Sequence, residues 1–248
     1  MRQNKVKTKL QNSESVVVAM GLLTSEIIDF LGPSGVDGFW MECEHGSVTW
    51  SQIGDMTRAC DLWGNSSITR VNSNEPWLIT RTLDQGSMGV VVPHVNSKAA
   101  AEKAVQGTKF APLGERGTFG GRQSYGVDNY QIKANDQSLL VVLLEEIEAL
   151  ENLDEILKVD DIDVFFVAPN DLSQTMGHLG NQEHPDVQLK VSETLDKIVR
   201  SGRTAGTLVN DNNVEKYLDL GVQFLGTSWN GWAMQGAKAF VNKVSSHA

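Results

Sequence analysis

Two apolar runs, each ending in an acid and separated by one helix-length stretch, constrain this chain more than any other feature. The first is Val141-Val142-Leu143-Leu144-Glu145; the second is Val164-Phe165-Phe166-Val167-Ala168-Pro169-Asn170-Asp171. Continuous apolar runs rich in β-branched and aromatic residues read as strands buried on both faces. Between them, Leu150, Leu153, Ile156 and Leu157 recur at helical spacing. The segment is therefore a βαβ unit, whose parallel strands place both acids at the same edge of a sheet. Either acid alone reads equally well as the cap of the helix that follows. As a pair in one unit they point to a metal site.

The same alternation runs through the chain. Strands are predicted at 16–21, 38–43, 67–71, 89–93, 141–145, 164–167, 204–209 and 222–225. Helices are predicted at 25–31, 51–62, 77–85, 98–108, 149–157, 187–200, 213–220 and 231–243. The sequence is 248 residues long, the usual size of one (β/α)8 TIM barrel, at roughly 25–30 residues per unit. A doubly wound open sheet is the alternative, and no Gly-x-Gly-x-x-Gly follows the first strand to support its dinucleotide-binding form. The expectation is a single domain over residues 1–248, with 1–14 as a loose polar arm. Residues 110 to about 136 hold Gly114, Gly117, Gly120, Gly121 and Gly126 with little apolar periodicity, so a long functional or mobile loop is expected there.

Composition narrows the partners. A net charge of −10 without a basic cluster argues against nucleic acid and anionic membranes. No apolar run approaches the ~20 residues that span a bilayer. Two isolated cysteines, Cys43 and Cys60, make neither a disulfide framework nor a zinc knuckle, and a reducing cytoplasm fits best.

Four strands end in residues able to do chemistry: His45, Arg70, Glu145 and Asp171. In a barrel all four face one pocket at the carboxyl-terminal rim. His45 is expected to be the only histidine directly following a strand there. Singly, a histidine is more often structural, and Arg70 could merely pair with an acid such as Glu42. Together they form a constellation. Two carboxylates without cysteine favour a hard cation with oxygen ligands, Mg²⁺ or Mn²⁺. Such an ion acts as a Lewis acid on a 2-oxo acid, Arg70 stabilises the developing enolate oxygen, and His45 moves protons. The turn at Pro169, Asn170 and Asp171 offers backbone N–H groups to a substrate carboxylate, and Leu208 closes the pocket from the seventh strand. No lysine ends strands two to eight, which disfavours a Schiff-base aldolase.

These residues carry a resemblance. Glu44-His45-Gly46, Arg70, Leu83-Asp84-Gln85-Gly86, Gly114-Glu115-Arg116-Gly117, Glu145 and Pro169-Asn170-Asp171-Leu172-Ser173 occur in the order found in the HpcH/HpaI aldolases, class II pyruvate aldolases. The likeness runs from about residue 16 to 240. It implies metal-dependent cleavage of 4-hydroxy-2-oxo acids to pyruvate and an aldehyde. Glu145 and Asp171 are then ligands to Mg²⁺, Mn²⁺ or Co²⁺, His45 the acid–base residue, Arg70 the enolate stabiliser and Glu42 its support. It further implies a homohexamer, a trimer of dimers that exchanges its last helix, with Asp84 reaching His45 from a neighbouring subunit. By sequence alone Asp84 is a solvated acid at a helix end. The chain departs from its relatives at Glu42, Leu143, Ala168-Pro169-Asn170-Asp171 and Thr227-Ser228-Trp229-Asn230. Oxaloacetate decarboxylation, carbon–carbon bond formation of the macrophomate synthase kind, and a non-catalytic oxo-acid-binding barrel are the competing expectations.

Overall fold

A computed structural model describes residues 1–247. In chain order its elements are α1 (Lys5–Gln11), β1 (Val16–Met20), α2 (Ser25–Leu31), β2 (Gly38–Glu42), α3 (Trp50–Trp63), β3 (Ser66–Arg70), α4 (Pro76–Asp84) and β4 (Gly89–Val92). There follow α5 (Lys98–Thr108), α6 (Tyr130–Gln137), β5 (Leu139–Leu144), α7 (Ile147–Glu151), α8 (Leu153–Ile156), β6 (Val164–Val167) and α9 (Pro169–Thr175). The last are α10 (Pro185–Arg200), β7 (Ala205–Leu208), α11 (Val214–Asp219), β8 (Phe224–Ser228) and α12 (Trp229–Ser245). The eight strands close into a barrel in sequential order, every neighbouring pair parallel. The chain is a (β/α)8 TIM barrel.

Strand periodicity sorts the core into layers. Val16, Val18, Trp40, Ile68, Val91, Leu139, Val141, Leu143, Val164, Phe166 and Phe224 fill the interior. Their alternate neighbours, among them Phe39, Met41, Val90, Val142 and Phe165, pack outward against the helices. The Phe166 ring meets Trp40 and Phe224 edge-on at centroid distances of 5.3 and 5.9 Å, the geometry that the ring quadrupoles favour. The same alternation, counted onward from Trp40, Ile68 and Leu143, points Glu42, Arg70 and Glu145 inward at the carboxyl-terminal end.

Residues 1–14 are not a loose arm over their whole length. Asn4 caps α1, and the helix plugs the amino-terminal end of the barrel with buried Val6 and Leu10. Its polar residues are satisfied inside. Asn4 Nδ2 donates to Met88 O and Gln137 O at 3.0 and 2.9 Å, and Ser66 Oγ donates to Asn4 Oδ1 at 2.7 Å. Lys7 Nζ donates to Ser138 O at 2.9 Å and pairs with Asp163 at 2.8 Å. Polarity alone therefore misled: these side chains are polar because they saturate strand-end carbonyls, not because they face water.

The segment 110–136 is also more ordered than expected. It ends in α6, and buried Arg116 anchors it by pairing with Asp84 at 2.8 Å and donating to Tyr130 Oη at 3.3 Å. The helix expected at 149–157 is two short helices broken at Asn152, whose Nδ2 donates to Asn96 O at 2.9 Å. β8 runs three residues past Leu225, held in register by β1 from Val16↔Phe224 to Met20↔Ser228, and α12 follows it directly from Trp229, two residues earlier than its pattern predicts. Cys43 and Cys60 are buried free thiols. Burial, reinforced by the adjacent Glu42 charge, pushes Cys43 up to about 12; burial also raises Cys60. No helix among the described residues is long and apolar enough to cross a membrane.

If α1 is a plug, Val6→Ala should lower the unfolding free energy by about 1.5–3 kcal/mol, the cost of two buried methyl-sized groups and the space they leave. Urea unfolding monitored by tryptophan fluorescence measures this. An unchanged midpoint would return the segment to the status of an arm.

Candidate active site

The inward side chains at the strand ends surround one cavity of about 210 Å³, lined by Met20, Trp40, Glu42, His45, Arg70, Leu143, Glu145, Phe166, Ala168, Asn170, Asp171 and Leu208. Of the residues singled out from sequence, His45, Arg70, Glu145, Asn170, Asp171, Leu208 and Glu42 therefore meet in one place. Pro169 does not line it: it is the buried first residue of α9 and has no N–H to offer. Asp84 lies in a separate surface cavity with Trp77, Arg81, Glu115 and Phe119. Within one chain Asp84 is engaged by Arg116, and it shares no cavity with His45.

Arg70 is the hub. Its guanidinium pairs with Glu145 Oε2 at 3.1 Å, with Glu44 Oε2, and more distantly with Glu42 Oε2 at 3.6 Å. The sequence named Glu42 as its support; Glu44 and Glu145 are the tighter partners. Glu42 has a second task. Its Oε1 accepts from the N–H groups of Glu44 and His45 at 2.8 and 3.2 Å, and Trp40 Nε1 donates to its Oε2 at 3.3 Å. This carboxylate caps the turn that presents His45. Gly46 completes that turn because a Cβ there would stand 2.5 Å from the Glu42 carbonyl oxygen. That contact explains the third residue of Glu44-His45-Gly46.

His45 itself is open. Its side chain is 68% exposed, and its Nε2 is 3.9 Å from Glu44 Oε2. It borders both the strand-end cavity and a neighbouring hollow of about 300 Å³ that includes Leu22, Ser47, Ser228 and Asn230.

A second histidine follows a strand, contrary to expectation. His94 comes two residues after β4, behind Pro93. It adopts a left-handed backbone, φ 54°, a conformation uncommon outside glycine. That geometry aims its N–H at Glu145 Oε1, 2.9 Å away. Its ring bridges two further acids, Nδ1 to Glu146 Oε1 at 2.6 Å and Nε2 to Glu44 Oε1 at 3.2 Å. Burial works to lower the His94 pKa, but the Glu146 hydrogen bond and the charges of Glu145, Glu44 and Glu146 raise it overall. The signal that marked the other site residues, a functional side chain at a strand end, also marks His94; the intervening proline obscured it.

Electrostatics make the site unbalanced. Glu42, Glu145 and Asp171 line a pocket that holds one guanidinium, and Glu44 pairs with that guanidinium from the turn beyond β2. Glu145 is 1% exposed. Burial raises its pKa, and the opposing pull of Arg70 and of the His94 N–H does not fully offset it. Among the described residues no hydrogen bond or ion pair satisfies the Asp171 carboxylate. One donor on Arg70, Nε, is likewise buried without a partner. An excess of carboxylate oxygen next to a free donor is chemically suited to a hard divalent cation and an anionic substrate.

A parallel barrel with inward acids, an arginine and histidines at its carboxyl-terminal rim defines an enzyme of the TIM-barrel class. The comparisons carry this further. The sequence profile described as HpcH/HpaI aldolase/citrate lyase matches residues 21–235, and the chain belongs to that family. It is 33% identical over 228 residues to a hydroxypyruvate/pyruvate aldolase of Roseobacter denitrificans, covering 90% of this chain and 89% of the other. It is 32% identical over 211 residues to 4-hydroxy-2-oxo-heptane-1,7-dioate aldolase of Escherichia coli, covering 83% and 80%. The crystal structure of an HpcH/HpaI aldolase/citrate lyase family protein from Burkholderia cenocepacia superposes with a TM-score of 0.91 at 25% identity, over 98% of this chain and all of that one. The protein is a carbon–carbon lyase of the aldolase type.

Replacing Arg70 by alanine leaves Glu44 and Glu145 without the guanidinium that pairs with both. Removing one partner of a buried pair costs about 3–5 kcal/mol, and Arg70→Ala should lose stability of this size in urea unfolding. Adding Glu145→Gln should restore part of it. A single variant as stable as the parent would show that the pairs contribute nothing to the fold.

Proposed function

We propose that this protein cleaves and forms 4-hydroxy-2-oxo acids by a divalent-metal-dependent aldol reaction that passes through the enolate of pyruvate. The observation that carries this reading is the surplus of carboxylates around one guanidinium in the strand-end cavity, in a chain whose relatives are aldolases. Glu145 and Asp171 are the residues that would hold Mg²⁺, Mn²⁺ or Co²⁺: the first is buried and aimed inward, the second has no side-chain partner among the described residues. A bound ion would supply Lewis-acid polarisation of the 2-oxo group.

The remaining chemistry belongs to the chain. In the cleavage direction the imidazole of His45 takes the proton of the C4 hydroxyl, directly or through water. The C3–C4 bond breaks, C4 leaves as an aldehyde, and the bonding pair passes into the enolate of pyruvate. Arg70 faces the oxygen on which that charge develops; losing one such donor typically costs ~10²–10³ in rate. Protonation at C3 then gives pyruvate. Glu42 holds the His45 turn and steadies Arg70. Trp40, Leu143, Phe166 and Leu208 form an apolar wall that limits water around the enolate carbon. Asn170 and the start of α9 border the place for the substrate carboxylate.

The assembly forms part of this reading. α12 buries none of its residues within the chain, and it exposes Trp232, Met234, Phe240, Val241 and Val244. An apolar helix left uncovered fits exchange with a second copy, in a homohexamer in which Asp84 of one subunit serves His45 of the next. The buried free thiols suit a reducing compartment, the cytoplasm.

Pyruvate release from 4-hydroxy-2-oxoheptanedioate, followed with a coupled dehydrogenase, tests the reading. Activity should vanish with chelator and return with Mg²⁺, Mn²⁺ or Co²⁺. Glu145→Gln should abolish both turnover and Mg²⁺ binding in calorimetry, whereas Arg70→Ala should slow turnover ~10²–10³-fold with the ion still bound. Full activity after exhaustive chelation would refute metal dependence. Absence of pyruvate from any 4-hydroxy-2-oxo acid, with oxaloacetate turned over, would favour the decarboxylase instead.

A further inference from the structure

His94 adjoins the site without lining its cavity, and the reaction proposed above leaves it without a task. It sits in the turn after β4, and what it reaches belongs to other strands. Its N–H meets Glu145 Oε1, just beyond β5, at 2.9 Å. Its ring stands between two further acids. Nδ1 is hydrogen-bonded to Glu146 Oε1 at 2.6 Å, and Nε2 lies 3.2 Å from Glu44 Oε1 in the turn beyond β2.

One side of the ring is anchored. Asn96 Nδ2 donates to Glu146 Oε2 at 2.7 Å, and Asn152 Nδ2 donates to Asn96 O at 2.9 Å. Glu146 is thereby held at both oxygens. Val95, next in the chain, is fully buried, and its N–H donates to Leu143 O at 3.3 Å. The left-handed residue thus lies beside fixed neighbours. Such a backbone persists where its surroundings over-determine it, and histidine is among the residues that tolerate it.

The other side of the ring faces Glu44. That carboxylate divides its oxygens: Oε1 lies toward His94, while Oε2 pairs with Arg70 and stands 3.9 Å from His45 Nε2. Arg70, His45 and His94 therefore converge on a single acid. A carboxylate held by a cation at one oxygen can still pivot about that contact; held at both, its plane is set. β3 separates β2 from β4 in the barrel, so no ladder hydrogen bond joins their ends. The His94 ring bridges them.

We propose that His94 is a positioning residue for the aldol reaction. Held by Glu146, it sets the plane of Glu44, and through Glu44 the guanidinium of Arg70 that faces the enolate oxygen. This rests on the aldol reading above. His94 acts without touching substrate. Its backbone N–H has a separate effect, orienting Glu145, which survives any substitution that keeps the left-handed turn. A misplaced Arg70 lowers the rate more than it weakens binding, because the charge it meets develops only in the transition state.

His94→Asn tests this. Asparagine tolerates the left-handed backbone, and its shorter amide cannot span Glu146 and Glu44. With Mg²⁺ saturating, pyruvate release from 4-hydroxy-2-oxoheptanedioate should show kcat lowered about tenfold or more and KM within about twofold, since a misplacement of about 1 Å can cost ~10²-fold in rate. Calorimetric Mg²⁺ affinity should be unchanged, because the N–H to Glu145 remains. His94→Gly, which also accepts that backbone, should behave alike and serves if the asparagine variant does not fold. In Glu44→Gln, adding His94→Asn should lower kcat no further, the non-additivity expected when one residue acts through the other. Parent kcat in the His94 variants overturns the proposal. So does a loss that multiplies in full with that of Glu44→Gln, or one that comes with weakened Mg²⁺ binding. Failure of the aldol reading appears separately, as a parent that releases no pyruvate from any 4-hydroxy-2-oxo acid; the same variants are then compared on oxaloacetate, whose decarboxylation passes through the same enolate.

Discussion

The guanidinium of Arg70 sits where β2, β3 and β5 converge, bounded by Glu42, Glu44 and Glu145. A charge withdrawn from water is costly unless each of its partners is present and well placed. This one is placed by strand register: Glu42 and Arg70 are cross-strand neighbours on β2 and β3, and Glu145 directly follows β5. The turn beyond β2 then folds back so that Glu44 closes the circle and His45 faces the opening. The carboxyl-terminal face is therefore an electrostatic assembly in which removing one member exposes the others to repulsion. Its surplus of negative charge is what a cation and an anionic substrate would neutralise.

The two ends of the barrel solve the same problem differently. At the amino-terminal end the strand-start carbonyls and hydroxyls are satisfied by α1, with Asn4 and Lys7 spending their polar groups on Ser66, Met88, Gln137 and Ser138. At the carboxyl-terminal end Asp171 and Arg70 Nε keep unspent hydrogen-bonding capacity beside an apolar wall of Trp40, Leu143 and Phe166. Stability resides at one end and chemistry at the other, as in barrels of this kind generally.

Carboxylates line the strand ends where a hard ion would be held, beside Arg70 and His45. The uncovered faces of α12 and of the region around Asp84 and Phe119 are, in our reading, where contacts between copies would complete the shared site.

Much of the barrel was legible in the residues, because helical and strand periodicity are local properties and short apolar runs ending in Glu145 or Asp171 declare both the strand and its reactive end. The family followed from motifs of the same local kind, such as Glu44-His45-Gly46. What the sequence could not supply was distance and partnership. Polar residues 1–14 read as solvated, and only the closed barrel shows that Asn4 and Lys7 are consumed by carbonyls far along the chain. Pro93 masked His94, whose role depends on a left-handed backbone and on three acids brought from β2 and β5. Asp84 read as a free acid, whereas packing of the 110–136 segment hands it Arg116. In each case the deciding interaction joins residues remote in sequence, and periodicity carries no information about which of them the closing barrel brings within hydrogen-bonding reach.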